Sequence, residues 1–109
     1  MIRVMLSLDL IDAENKRADL YGMLEDAGWK KAKNVDTVWI KEFRQYSPGL
    51  DQDRLKELRN EIAAPFFAAY KSLKLSKVYY VAQIGNECVI SRQVETRGGK
   101  LSAHVESVF

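Results

Sequence analysis

The sequence predicts a single α+β domain in which two helices pack on one face of an antiparallel sheet. Residues 2–10 alternate strictly between apolar and other side chains, which is the period of a strand with one buried face. Residues 55–73 carry apolar side chains at helical spacing. Residues 37–43 and 78–84 are short runs rich in β-branched and aromatic side chains, which favour strands. A chain of 109 residues holds one hydrophobic core, so we expect one domain over residues 1–109.

The first half of the chain reads as strand, helix, strand, strand. Asp12 is the predicted N-cap of the first helix, and Gly28 is its predicted C-terminal stop. The apolar residues of this helix recur at helical spacing: Leu20, Met23, Leu24 and Ala27. Residues 29–33 predict a weak basic strand and residues 37–43 a strong one, with a turn at residues 34–36 between them.

The second half begins with a turn-forming segment at residues 46–49, which ends the preceding strand, and the second helix follows it. Its predicted apolar face consists of Leu55, Leu58, Ile62, Phe66, Ala69 and Leu73. Pro65 predicts a kink or two abutting helices. Strands are then expected over residues 78–84, 87–95 and 101–108. The order βαββαβ, with one or two additional strands, predicts a ferredoxin-like sandwich with a core over about residues 2–85 and a C-terminal β extension over about residues 86–109.

Composition limits the classes of function. The chain has 17 basic and 15 acidic residues, so a nucleic-acid site must be a local patch rather than a property of the whole protein. No apolar run approaches the roughly 20 residues needed to span a bilayer, and the first residues lack the features of a signal peptide. The single cysteine, Cys88, cannot form an internal disulfide. These features predict a cytoplasmic protein without a membrane partner.

Asp9 lies near the end of the first strand, on the face predicted to point away from the helices. Two interpretations are open. Asp9 ends the strand and caps the next element, or it is held on a rigid element as a candidate ligand for a metal or a polarised water. Asp12 is likewise either a helix cap or a second partner of that site. Ser7 lies on the same strand face and either contacts a substrate or simply packs.

Basic residues cluster around the second and third predicted strands. The candidate phosphate contacts are Lys30, Lys31, Lys33, Lys41 and Arg44. Trp29 and Trp39 flank this cluster and are candidates for stacking on bases. The alternative is that the lysines protect a sheet edge while both tryptophans belong to the core.

The remaining chemically active residues are few. His104 is the only histidine and is expected to be an exposed strand residue rather than a general base. Cys88 has no cysteine or histidine neighbour at metal-ligand spacing, so we expect it to be a small apolar filler. Phosphate-loop, dinucleotide-binding, zinc-protease and paired CxxC motifs are absent from the sequence.

Three segments carry a resemblance to a known group of proteins: MLSLDL, AGWKKAKNVDTVWIKEF and KVYYVAQIGNE. They resemble small ferredoxin-like proteins related to the CRISPR-associated adaptation nuclease, virulence-associated protein D and the endoribonuclease antitoxin of the Gho system. The likeness covers roughly residues 2–85. In that group the first strand commonly ends in an acid, as it does here at Asp9, and a strand with a hydrophobic-aromatic centre comes later, as at residues 37–40.

The resemblance implies a homodimer that is either a metal-dependent nuclease or a nonenzymatic relative. In a dimer that brings two first strands together, two copies of Asp9 would hold one Mg²⁺ or Mn²⁺ as the catalytic metal. We therefore expect a small dimeric protein that handles RNA or DNA, with a metal-dependent endoribonuclease as the enzymatic form. The main alternative is a protein-interaction module such as an antitoxin or assembly subunit, which would bind a protein partner by strand addition. A third is a small-molecule-binding regulatory domain.

Overall fold

A computed structural model of the chain describes residues 1–11, 14–33 and 37–105. It is an α+β structure in which a six-stranded antiparallel sheet packs against two helices. The elements are β1 (Ile2–Ile11), α1 (Arg17–Asp26), β2 (Lys30–Lys31), β3 (Val38–Phe43), α2 (Gln52–Leu73), β4 (Lys77–Ile84), β5 (Cys88–Arg97) and β6 (Lys100–Val105). No helix in the described ranges combines the length and apolarity needed to cross a membrane.

The strands lie in the order β2-β3-β1-β4-β5-β6, and every neighbouring pair is antiparallel. β1 is paired on both of its edges, with β3 on one side and β4 on the other. The order of the first four strands is compatible with a ferredoxin-like α+β fold. Both predicted C-terminal strands are present and extend the sheet beyond β4 as a hairpin.

β1 shows the alternation that its sequence predicts. Ile2, Val4, Leu6, Leu8 and Leu10 are buried in the core between the sheet and the helices. The intervening side chains are exposed on the opposite side, which we call the open face of the sheet. Burying alternate apolar side chains fixes the register, because a slip of one residue would expose all five of them.

α1 begins later than its sequence predicts. A short 3-10 helix (Glu14–Lys16) precedes it, and Lys16 is its N-cap without a side-chain hydrogen bond. Asp12, the predicted N-cap, lies outside the described residues. Gly28 does end the helix as predicted. It comes directly after the C-cap with a φ of +94°, a backbone conformation that favours glycine.

α2 packs the predicted apolar face against the sheet. Leu58, Ile62 and Phe66 are fully buried, and the backbone N–H of Arg54 donates to the side chain of Asp51 at the N-cap over 2.8 Å. The helix continues through Pro65 as one element, so of the two predicted alternatives, a kink or two abutting helices, the second is excluded. Buried side chains on both sides of the proline anchor this helix to the sheet, which offsets the lost backbone hydrogen bond.

Candidate nucleic-acid interface

A cavity of about 490 Å³ at the β2 end of the sheet gathers positive charge, and we call it the basic cavity. Its lining residues are Arg3, Gly28, Lys30, Lys31, Ala32, Ile40, Lys41, Glu42 and Arg44. Five of these are cations and one is an acid, which leaves an excess of four positive charges in one concave place. Such a site attracts anions, and phosphates above all.

The cavity exists because β2 is too short to cover the outer edge of β3. Only Lys30 and Lys31 pair with β3, opposite Ile40 and Trp39. The predicted strand over residues 29–33 is therefore reduced to two residues, and the predicted turn at residues 34–36 lies outside the described residues. Lys41, further along β3, is partly buried beside the end of α1.

The single acid of the cavity is held in an ion pair. Glu42 Oε1 accepts from Nη2 of Arg3 over 2.9 Å, as the β1–β3 register places the two residues opposite each other. This hydrogen bond lowers the pKa of the Glu42 carboxyl, and the positive charges of Arg3, Arg44 and Lys30 lower it further against an opposing effect of burial. Glu42 therefore stays ionised and orients Arg3 without cancelling the other cations.

The cations of the cavity differ in how firmly they are held. Lys41 Nζ donates to the carbonyl oxygen of Ala27 over 2.6 Å and lies 4.8 Å from the Phe43 ring centroid. Lys31 Nζ lies 5.5 Å from the ring centroid of Tyr21. Lys30 and Arg44 are exposed to solvent, as Lys31 and Arg3 also are, and within the described ranges neither of the two lies over a ring or forms an ion pair. A phosphate entering the cavity meets these two side chains without first displacing a buried contact.

Four of the five predicted phosphate contacts line this cavity, namely Lys30, Lys31, Lys41 and Arg44. Lys33 is exposed after β2 but does not line it. Sequence reasoning missed Arg3, which comes from β1, far away in the sequence. The alternation along β1 places Arg3 among its exposed side chains, which marks it as a candidate for binding. Its proximity to the lysines, however, depends on the β1–β3 pairing.

The tryptophans do not serve as stacking surfaces. Trp29 is 2% exposed and Trp39 is 0% exposed, so the stacking interpretation is wrong and both belong to the core. Trp39 packs edge-on against Tyr21, and Trp29 packs edge-on against Phe43. The aromatic residues of β3 also point away from the open face, so they supply no apolar surface for a dimer there.

Asp9 lies on the open face as predicted, but not beside the basic cavity. It is exposed and lines a shallow depression of about 160 Å³ together with Ser7, Tyr79, Val81 and Ser91. Asp9 is six residues from Arg3 along β1, a separation of about 20 Å at the usual rise of a strand. Asp9 and Arg3 therefore lie at opposite ends of β1 on the open face, while Lys41 reaches the basic cavity from the helix side of the sheet.

A row of polar side chains crosses the open face at the level of Asp9. The strand registers pair Asp9 with Tyr79, Tyr79 with Gln93, and Gln93 with His104. Gln93 is only 4% exposed, although its strand face is the open one. His104 is half-buried in this row, with Nε2 3.1 Å from Oγ of Ser102. Sequence reasoning did not connect these residues, because the row depends on three cross-strand registers.

The described residues contain no group of three or more histidine, cysteine, aspartate or glutamate side chains placed to hold a metal ion. Cys88 is a free, half-buried thiol that packs against the core, in agreement with its predicted role as filler. Comparison of the chain with protein-family models, with curated proteins and with solved structures gave no match in any of the three.

Proposed function

We propose that this protein binds nucleic acid and holds its phosphates in the basic cavity. One observation carries the proposal: five cations and one acid surround a single cavity of about 490 Å³. The net charge of the whole chain is only +2, so this concentration of positive charge is local. Local charge of this kind supports phosphate contacts, which contribute most of the affinity in non-specific nucleic-acid binding.

The proposal includes a ferredoxin-like core in the cytoplasm and a relation to the nuclease and antitoxin group that the sequence resembles. The strand order of β1 to β4, with a helix after β1 and another after β3, supports the ferredoxin-like assignment. The β5–β6 hairpin is then an addition at the β4 edge. A fold of this kind hosts many functions, so the functional proposal depends on the cavity rather than on the topology.

In its enzymatic form, the protein would be a metal-dependent endoribonuclease with Asp9 as the metal ligand. The donors beside Asp9 suit a hard cation, because Ser7, two residues earlier on the same face of β1, adds a hydroxyl oxygen to its carboxylate in the same depression. Mg²⁺ or Mn²⁺ accepts one or two carboxylates and completes its shell with waters and phosphate oxygens. A bound ion would polarise the phosphodiester and activate a water molecule.

The enzymatic form is tested by incubating the purified protein with RNA and DNA, with and without Mg²⁺ or Mn²⁺. Asp9→Asn keeps the shape of the side chain but removes the anionic oxygen, so cleavage should be lost while the melting temperature is retained. Asp19→Asn changes an exposed acid of α1 and serves as the matched control. Cleavage that survives Asp9→Asn would move the site elsewhere. Absence of cleavage by the unaltered protein would leave a binding protein without nuclease activity.

We also propose that the protein is a homodimer. β1 is paired on both edges, so two copies of Asp9 can meet only if two open faces pack together. Pairing through β6, the last strand of the sheet, would instead leave each Asp9 to its own metal ion. Light scattering should give about twice the chain mass of 12.5 kDa. A mass near 12.5 kDa at high protein concentration would exclude the dimer.

A protein-interaction module is the second candidate function, and a specific feature favours it. Met5, Val81 and Val89 are 47%, 37% and 53% exposed on the open face. β6 has a strand neighbour on one side only among the described residues, so its other edge is open to an added strand. If the unaltered protein binds neither RNA nor DNA at about 50 mM salt, this candidate replaces nucleic-acid binding.

A further inference from the structure

We propose that Tyr79 is a stacking platform for one base of a single-stranded nucleic acid lying across the open face. The inference rests on the proposed function, because the basic cavity is taken to hold the phosphates of the same strand. It adds a second contact point with a different chemistry. The cavity recognises the backbone, whereas Tyr79 recognises the flat surface of a base.

Tyr79 differs from the other four tyrosines. Each of those has a structural partner: Tyr21 packs on Trp39, Tyr46 on Phe43, Tyr80 on Phe66, and the Tyr70 hydroxyl accepts from the Thr96 backbone. In the described ranges, Tyr79 has neither a ring partner nor a hydrogen bond from its hydroxyl. A half-buried ring without an internal contact of this kind is available to a ligand.

The position of Tyr79 on the sheet also favours contact with a ligand. Tyr79 is the only Phe, Tyr or Trp whose side chain lies on the open face within the described residues. It borders the shallow depression shared with Ser7, Val81 and Ser91, and its cross-strand neighbours on this face are Asp9 and Gln93. β4 pairs on both sides, with β1 and β5, so the ring stands on a rigid part of the sheet.

The charges near Tyr79 also favour a base rather than a phosphate at this place. Asp9 lies opposite Tyr79 in the β1–β4 register and is exposed. In the absence of a metal its carboxylate repels a phosphate but accepts hydrogen bonds from base N–H groups. Arg3 lies about 20 Å away along β1, and Lys30 is nearer, because it pairs with Ile40 at the level of Met5. The two ends of the open face therefore favour different parts of one ligand: phosphates at the basic cavity and a base at Tyr79.

The separation of the two places limits the ligand. At about 3.4 Å per nucleotide in a stacked strand, about 20 Å corresponds to about six nucleotides, and to fewer if the strand is extended. Affinity should therefore rise steeply until an oligonucleotide reaches about four to six residues and then level off. A duplex keeps its bases inside, so it cannot stack on Tyr79 and should bind more weakly than a single strand.

The experiment measures binding of oligouridylate and oligodeoxythymidylate of about 3 to 12 residues at about 50 mM salt. One 2-aminopurine per oligonucleotide reports stacking, because its fluorescence falls when an aromatic ring stacks on it. Tyr79→Phe keeps the ring, whereas Tyr79→Ile keeps apolar bulk and strand propensity but removes it. Val89→Ala on the same face is the control. Melting temperatures and light scattering establish that each variant is folded and in the same oligomeric state.

We expect Tyr79→Phe and Val89→Ala to bind within about twofold of the unaltered protein. Tyr79→Ile should bind about tenfold more weakly, since one stacked base contributes about 1–3 kcal/mol. It should also lose the quenching of 2-aminopurine. Equal binding by Tyr79→Ile would overturn the inference but leave the proposed function in place. Equal losses in Tyr79→Phe and Tyr79→Ile would also overturn it, because the hydroxyl rather than the ring would be responsible.

Two further outcomes separate the inference from the proposal on which it rests. If the unaltered protein binds no oligonucleotide, both are wrong. If Tyr79→Ile turns a dimer into a monomer, the ring belongs to a subunit interface, and the inference is wrong whatever happens to binding. A salt-dependent affinity that is reduced only by changes in the basic cavity would confirm phosphate binding and reject stacking.

Discussion

Tyr80 should make the stability of this protein fall steeply above pH 10. Its side chain is 2% exposed and stacks on Phe66 with ring centroids 4.5 Å apart and an interplanar angle of 9°. Burial raises the pKa of Tyr80 to about 12 from an ordinary value of 10, although the positive charge of Arg92 opposes the shift. The folded protein therefore holds the Tyr80 proton more tightly than the unfolded chain does.

The sign and size of the effect are set by proton linkage. The stabilisation is fully present below about pH 10, where Tyr80 is neutral in both states. Between about pH 10 and 12 the unfolded chain loses this proton first, so the free energy of unfolding falls by up to about 1.4 kcal/mol per pH unit. Over the two pH units the loss reaches about 3 kcal/mol.

Urea unfolding of the unaltered protein and of Tyr80→Phe, at half-unit steps from about pH 8 to 11.5, measures this loss. Phenylalanine keeps the stacked ring and removes the titrating hydroxyl. Lysines and the other tyrosines titrate equally in both proteins, so the difference between the two curves isolates Tyr80. We expect a constant difference up to about pH 9.5 and a relative gain for Tyr80→Phe above about pH 10. Parallel curves across the whole range would refute the argument from burial.

Two further predictions concern stability. Leu58→Ala should lower the free energy of unfolding by about 2–5 kcal/mol in a denaturant titration, because Leu58 is 0% exposed. Leu55 is half-buried, so Leu55→Ala should lower it clearly less. A loss below about 0.5 kcal/mol for Leu58→Ala would contradict the placement of α2. Gly28→Ala should lower the free energy of unfolding by about 1–2 kcal/mol, because φ is +94°, a backbone conformation that L side chains rarely adopt. Thermal melts check this second change, and an unaltered melting temperature would contradict it.

The sequence was most informative where side-chain period and burial coincide. The alternation along β1 predicted both its strand and the face on which Asp9 lies, and the apolar spacing of α2 predicted its buried face. Local signals were weaker at element ends. Asp12 looked like a helix cap, but the 3-10 helix before α1 moves the helix start to Arg17. Such a turn depends on contacts that the local sequence does not contain.

The candidate site was less predictable, because cross-strand register assembles it. Lys30, Lys31, Lys41 and Arg44 are close in sequence, so their proximity was foreseeable, whereas Arg3 joins them only through the β1–β3 pairing. The same limitation hid the row from Asp9 to His104. The tryptophans illustrate the converse problem, since an aromatic residue beside lysines fits both a stacking surface and a core, and only burial decides between them.

The salt dependence of oligonucleotide binding tests phosphate recognition by the basic cavity most directly. For single strands, the slope of log K against log salt is about −0.7 per phosphate contact. Lys30→Ala with Arg44→Ala removes two exposed cations of the basic cavity, so the slope should become flatter by about 1.4. Lys71→Ala, at the far end of α2, should leave it unchanged. An unchanged slope in the double variant, with binding retained, would contradict the basic cavity as the phosphate site.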